Sequence, residues 1–302
     1  MSLDPSYLEY PRRRRGMDHD LYPWSSIFDR LDFRWKGGAR IAVAPLVSLE
    51  WFPIVPGEAP FRAPGHMQTA YPDYRHYTSR DYGNRVGVWR FLDLFAAHGV
   101  TVSFAVNGVI AGRYPALVEA IVAGGHEIVA HGRDMDDTIA SPADEDRERA
   151  IIAGSLDAIE RATGTRPTGW LSIARSQSFA TPRLLVEAGV THMCDWVNDE
   201  LPYAFATGAG PIVSVPYNHE LSDRQIITVQ QQSAESFAEQ LRDAWTWLDG
   251  EGAERLLPIH LTPYIMGLPY RIEALEGLLA WLAARPDTCF VTAAEAAAAI
   301  HT

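Results

Sequence analysis

The sequence predicts an α/β fold, a parallel β/α barrel preceded by an extended arm. Three observations predict it. From Arg40 onward, short apolar runs alternate with stretches of helical periodicity, the pattern of parallel βα units. Their number within 302 residues suits one barrel better than two domains. Finally, Glu50, His131, Asp195 and His260 fall at the predicted C-terminal ends of strands, where such barrels carry their chemistry.

Residues 1–38 are rich in Pro, Arg and aromatics without periodicity, and read as an arm packed on the domain or on a neighbouring subunit. Residues 39–302 read as a single barrel domain. The run 40–47 (RIAVAPLV) follows two glycines and reads as a buried strand. Residues 53–82, dense in Pro, Gly, Tyr and His, read as a long loop, and loops of that length in compact domains tend to be functional. Residues 86–98 have a helical apolar stripe closed by Gly99. Strands are expected at 100–106, 127–130, 168–173, 191–195, 212–215, 225–229, 256–261 and 289–292. Helices are expected at 114–123, 142–163, 181–188, 233–248, 272–284 and 293–300.

With 47% hydrophobic and 21% charged residues, the chain falls outside the collagen-like, disordered and coiled-coil classes. A net charge of -12 disfavours a broad nucleic-acid surface. The run Arg12-Arg13-Arg14-Arg15 reads as a solvated arm or subunit contact, because acidic and aromatic residues follow it. Lys36 is the only lysine and lies in no phosphate-loop or Schiff-base context. Cys194 and Cys289 form neither a disulfide framework nor a zinc spacing. No apolar leader region and no membrane-length apolar run is present. These features lead us to expect a cytoplasmic protein with a small-molecule substrate, without nucleic-acid or membrane partners.

Several side chains could carry chemistry. Glu50 follows an apolar strand and precedes a loop, so it could act as a general base, ligate a metal or sit in a salt bridge. His131, followed by Gly132, can aim its ring into a cavity, and His260 closes another apolar run. No HExxH, GxSxG, GxGxxG or phosphate loop occurs.

Four collinear stretches resemble the polysaccharide deacetylase superfamily, most closely its metal-independent allantoinase-like branch. They are Ser79 to Arg90 (SRDYGNRVGVWR), Gly125-His126-Glu127-Ile128 with His131-Gly132, Arg166-Pro167-Thr168-Gly169-Trp170, and Asn198-Asp199-Glu200-Leu201-Pro202-Tyr203. The resemblance implies a deformed parallel barrel of about seven strands and an oligomer. It also exposes departures. Metal-dependent members place two aspartates after the first strand and use His-x-x-x-His in the second motif. Glu50, Trp51 and Met135 stand at three of those positions. An indole and a thioether cannot hold a hard or borderline divalent ion, so no cofactor is expected. A zinc-type metal on Glu50, His131 and Asp134 is the lesser alternative.

The resemblance implies hydrolysis of a carbon–nitrogen amide-type bond in a small ureide or imide. Glu50 or His131 would take the water proton if burial tunes it toward neutrality, and His260 would protonate the departing nitrogen. Arg85, Arg133 and the Trp170 indole are candidate oxyanion or substrate donors, and Asp195 and Tyr203 are candidate substrate contacts. Two other readings stay open: a metal-dependent N-deacetylase of an amino sugar or polysaccharide, and a non-catalytic ligand-binding barrel.

Overall fold

A computed structural model describes residues 19–27, 30, 33–57, 61–62, 69–141 and 144–301. Its central strand, β1 (Ile41–Leu49), is buried along its whole length. Ile41, Val43, Val47 and Leu49 enter one apolar cluster, and Ala42, Ala44 and Leu46 enter a second. The strand period of two thus divides a single apolar run between two cores. The same period carries Ser48 and Glu50 onto the face of the alanines, at the C-terminal end.

Eight further strands complete the sheet: β2 (Ser103–Val106), β3 (Glu127–Ala130), β4 (Gly169–Trp170), β5 (His192–Met193), β6 (Tyr203–Thr207), β7 (Gly210–Ser214), β8 (Arg255–Leu261) and β9 (Thr288–Phe290). The order is β6-β7-β5-β4-β3-β2-β1-β8, with β9 paired to the start of β1. All pairs are parallel except the β6–β7 hairpin. The sheet curls until its edges approach. The Leu256 amide donates to the Glu200 carbonyl (2.8 Å), and Arg255 pairs with Glu200 (3.3 Å). This is a deformed parallel barrel, with nine strands where about seven were expected.

The helices are α1 (Tyr74–Tyr82), α2 (Val88–His98), α3 (Gly108–Arg113), α4 (Pro115–Ala123), α5 (Glu145–Thr163), α6 (Thr181–Glu187), α7 (Ala234–Gly250), α8 (Pro263–Met266), α9 (Ile272–Ala283) and α10 (Ala293–Ala298). Helices α2, α7 and α9 cover the first cluster. Helix α10 sends Ala293, Ala296 and Ala297 into the second. Its first N–H groups are bonded by Ser103 and Glu127, and a Thr292–Glu295 capping box closes the turn. Glu127 also meets His192 (2.9 Å), so the polar groups at this end of the barrel serve a helix terminus.

Two local expectations are overturned. Residues 225–229 form a π-helical turn, Arg224–Val229, and not a strand. The β-branched residues favour a strand, but Ser222 caps the turn, Ile226 enters the core and Arg224 is drawn inward. The stretch read as loop over 53–82 contains α1, capped by the Asp73 side chain. In addition, β6, α3 and α8 were not anticipated. Of the arm, Arg12 to Arg15 lie outside the described residues. Leu21 accepts from the Ala206 amide (2.6 Å), and Trp35 is buried in the second cluster.

Candidate active site

The strand period builds the site. On β8, Leu256 enters the same cluster as the β1 alanines, and His260 follows it by four residues on the same face. On β3, Val129 enters that cluster and His131 lies two residues beyond. Leu171 and Cys194 enter it just after β4 and within the strand-end segment of β5. At the C-terminal ends these rows end in polar side chains. A cavity of about 370 Å³ opens there, lined among others by Ser48, Glu50, His131, Asp195, Asp223 and His260.

Glu50 is buried and held from three sides. Arg224 donates to Oε1 (2.7 Å), Tyr264 donates to Oε2 (2.5 Å), and the Asn84 amide donates to the Glu50 carbonyl (3.0 Å). Burial alone would push the carboxyl up. The Arg224 guanidinium, His131 and the two side-chain bonds outweigh it and hold Glu50 below the ordinary carboxylate value. Glu50 is thereby held as an anion.

His131 is buried, and its Nδ1 lies 2.7 Å from the Leu171 carbonyl. A carbonyl can only accept, so Nδ1 carries the proton and Nε2 keeps the lone pair. Burial lowers its pKa, and the Glu50 carboxylate opposes the shift in part. Asn107 fixes the ring's backbone by accepting from the Trp51 amide (2.7 Å) and donating to the His131 carbonyl. This one amide clamps the ends of β1 and β3 together.

His260 differs. Its Nδ1 accepts from Arg175 (3.2 Å), so Nε2–H donates to the Ser48 hydroxyl (2.6 Å). Burial and the neighbouring Arg175 and Arg224 hold its pKa well below the ordinary histidine value. A neutral ring with both nitrogens engaged has no free N–H to offer a leaving group in this arrangement. Two carboxyls shift the opposite way. Burial pushes Asp195 up to about 6 against bonds from the Ser172 amide (2.6 Å) and Gln177 (2.7 Å). It pushes Asp223 up to about 7 against bonds from Thr262.

Of the residues singled out in the sequence, Glu50, His131, His260 and Asp195 line the cavity. Arg85, Arg133, Trp170 and Tyr203 do not. The Arg85 side chain is 73% exposed and faces Asp81 (3.7 Å). That of Arg133 is 60% exposed and pairs with Asp137 (2.5 Å) and Asp134 (3.3 Å). The Trp170 indole donates to Ser172 (2.9 Å) inside the third apolar cluster. Tyr203 lies on the edge hairpin and donates to Asn198 (2.8 Å). In their place stand Arg175, His219, Asp223 and Arg224, with Tyr264 behind Glu50. Arg175 follows a strand by five residues, which is the one signal that could have pointed to it.

Most donor atoms of the residues weighed for a metal are engaged within the protein. Both Glu50 oxygens are bonded, His131 Nδ1 is spent, and Asp134 Oδ1 accepts from the Asp136 amide (3.0 Å). Met135 is buried on the cavity wall. Among the described residues, no three His, Cys, Asp or Glu gather in a way that could hold a metal ion.

A curled parallel sheet with a histidine and a carboxylate at adjoining strand ends defines a barrel of the deacetylase type. Residues 73–192 match the family model described as polysaccharide deacetylase. That match covers the middle of the chain, and the likeness of the whole to solved structures takes in both a deacetylase and an allantoinase. It is similar to the crystal structure of a probable polysaccharide deacetylase from Pseudomonas aeruginosa PAO1 (29% identity, 88% of this chain, 93% of that chain, TM-score 0.80). It is equally similar to PuuE allantoinase (29% identity, 88% of this chain, 92% of that chain, TM-score 0.81). A Schizosaccharomyces pombe protein named "Putative polysaccharide deacetylase" is 27% identical over 66% of this chain and 68% of its own length.

Proposed function

We propose that this cavity hydrolyses a carbon–nitrogen amide-type bond in a small substrate of the cyclic ureide or imide class. The observation that carries the reading is the His131 ring, proton-bearing at Nδ1 through Leu171 and basic at Nε2, beside a fixed Glu50 anion. Water gives one proton to Nε2 as its oxygen attacks the carbonyl carbon. When the carbon–nitrogen bond breaks, that proton passes to the departing nitrogen, leaving a carboxylic acid and an amine or amide. Glu50 favours the transient imidazolium between the two transfers, as a buried carboxylate does for a catalytic histidine. A cavity of about 370 Å³ suits a small molecule. The kinship with both a deacetylase and an allantoinase supports a carbon–nitrogen hydrolase.

The test is a screen of cyclic ureides, imides and N-acetylated sugars, with and without chelator, on the wild type and His131→Ala. We expect a ureide or imide to be cleaved in the presence of chelator. The variant should lose on the order of 10²–10⁴ in kcat/KM. Cleavage of acetylated sugars alone, or only with an added divalent metal, would instead establish the metal-dependent deacetylase. No cleavage in any arm would favour the ligand-binding barrel.

A further inference from the structure

The cavity holds a guanidinium that the protein does not neutralise. Arg175 enters from the turn after β4, where Ala174 and Arg175 both adopt φ of 54°, a left-handed conformation that side chains other than glycine rarely take. Its Nη1 meets His219 Nδ1 (3.1 Å), and its Nη2 donates to the Tyr217 carbonyl (3.2 Å) and His260 Nδ1 (3.2 Å). All three acceptors are neutral groups. Its Nε–H is buried without a partner. Among the described residues, no carboxylate lies within ion-pair distance of it. The acid that acts on it most strongly, Asp195, has its oxygens on Ser172 and Gln177. Glu50 is taken by Arg224.

A half-buried cation is ordinarily paired, because leaving it partly desolvated beside neutral acceptors is costly. A buried unspent N–H adds to that cost. Arginine cannot escape by losing its proton. The missing partner is then something that enters the cavity. We infer that Arg175 is an anion anchor and that the substrate of this site carries a carboxylate, bound where the Arg175 side chain lines the cavity. The inference deepens the reading of the cavity as a site for small amide-type substrates and rests on it. His219 and His260 act as positioning residues, since their Nδ1 acceptors fix the orientation of the guanidinium.

Two probes differing in one charge test this: hydantoin-5-acetate and hydantoin-5-acetamide, titrated calorimetrically into the full chain at pH 7. The carboxylate is expected to bind roughly 10–100-fold more tightly than the amide, the worth of one charge-assisted hydrogen bond. Arg175→Gln should abolish that preference and Arg175→Lys retain part of it. Equal affinities, tighter binding of the amide, or no binding of either probe overturns the inference. The wild-type comparison decides the matter even if neither variant folds. Hydrolysis of both probes is followed in parallel. A carboxylate bound preferentially yet left uncleaved upholds the anchor and counts only against the hydrolytic reading.

Discussion

Three histidines reach one cavity, and what separates their roles is which nitrogen each has spent. His260 and His219 accept at Nδ1 from Arg175, whereas His131 donates at Nδ1 and keeps Nε2 basic. A sequence shows that a histidine follows a strand but not which tautomer its neighbours impose. Position alone brought out Glu50, His131, Asp195 and His260, because all stand at the C-terminal ends of strands. Arg175 and Arg224 escaped because a turn with positive φ and a helical turn of β-branched residues leave no periodic trace. Arg85 and Arg133 drew attention by their motifs, but exposed acids hold them. Asp223 gives a prediction at this scale. Its native carboxyl is raised to about 7, so the folded state holds a proton that the unfolded chain releases near pH 4. Its contribution to stability is present below pH 4 and is lost as pH rises through about 7. Asp223→Asn removes that loss. The melting temperature of the variant minus that of wild type should become more positive from pH 5 to pH 8, and a difference that is flat across this range contradicts the assignment.

At the scale of elements, two π-helical turns hold Glu50. The turn Gly83–Gly87 supplies Asn84 to its carbonyl, and the turn Arg224–Val229 supplies Arg224 to its carboxylate. Such turns recur at functional sites because the extra residue re-aims side chains. The first also sets Tyr264. A Cβ on Gly83 would lie 2.9 Å from the Tyr264 nitrogen, and one on Gly87 would lie 2.2 Å from the Pro263 oxygen. Only glycine lets α8 approach closely enough for the Tyr264 hydroxyl to reach Glu50. Gly87→Ala must push that backbone away, at a cost of about 1–3 kcal/mol, and should weaken hydrolysis through the lost Tyr264 bond. Gly112→Ala, where nothing lies within 4 Å, is the control and should leave the melting temperature unlowered. A melting temperature unchanged in Gly87→Ala would contradict the close approach. The four-residue spacing of these glycines is visible in the sequence, but their facing partner lies far along the chain. Long apolar elements such as β1, α5, α7 and α9 were legible because their burial follows a simple period. The two-residue strands β4 and β5 were legible mainly through their neighbours.

On the scale of the whole molecule, the curl of the sheet does the assembling. Residues 50, 131, 175, 195, 224 and 260 are distant in the chain, yet parallel strands deliver five of their six segments to one end, and a π turn brings the sixth. Near-closure at Glu200 and Leu256 draws the two edges of the sheet together. The alternation of strands and helices made the barrel legible. The exact closure was not, because it depends on an antiparallel hairpin and on a backbone bond from β8 to the segment before that hairpin. No helix among the described residues is long and apolar enough to cross a membrane. The central claim is that this architecture leaves His131 neutral with its lone pair on Nε2, and ¹⁵N NMR of the imidazole reads both features directly, with His131→Ala assigning the signal. The account predicts an Nδ1–H tautomer titrating below the ordinary value of about 6.5, and lower still in Glu50→Gln, where the opposing anion is gone. An Nε2–H tautomer, or titration above 6.5, would contradict it.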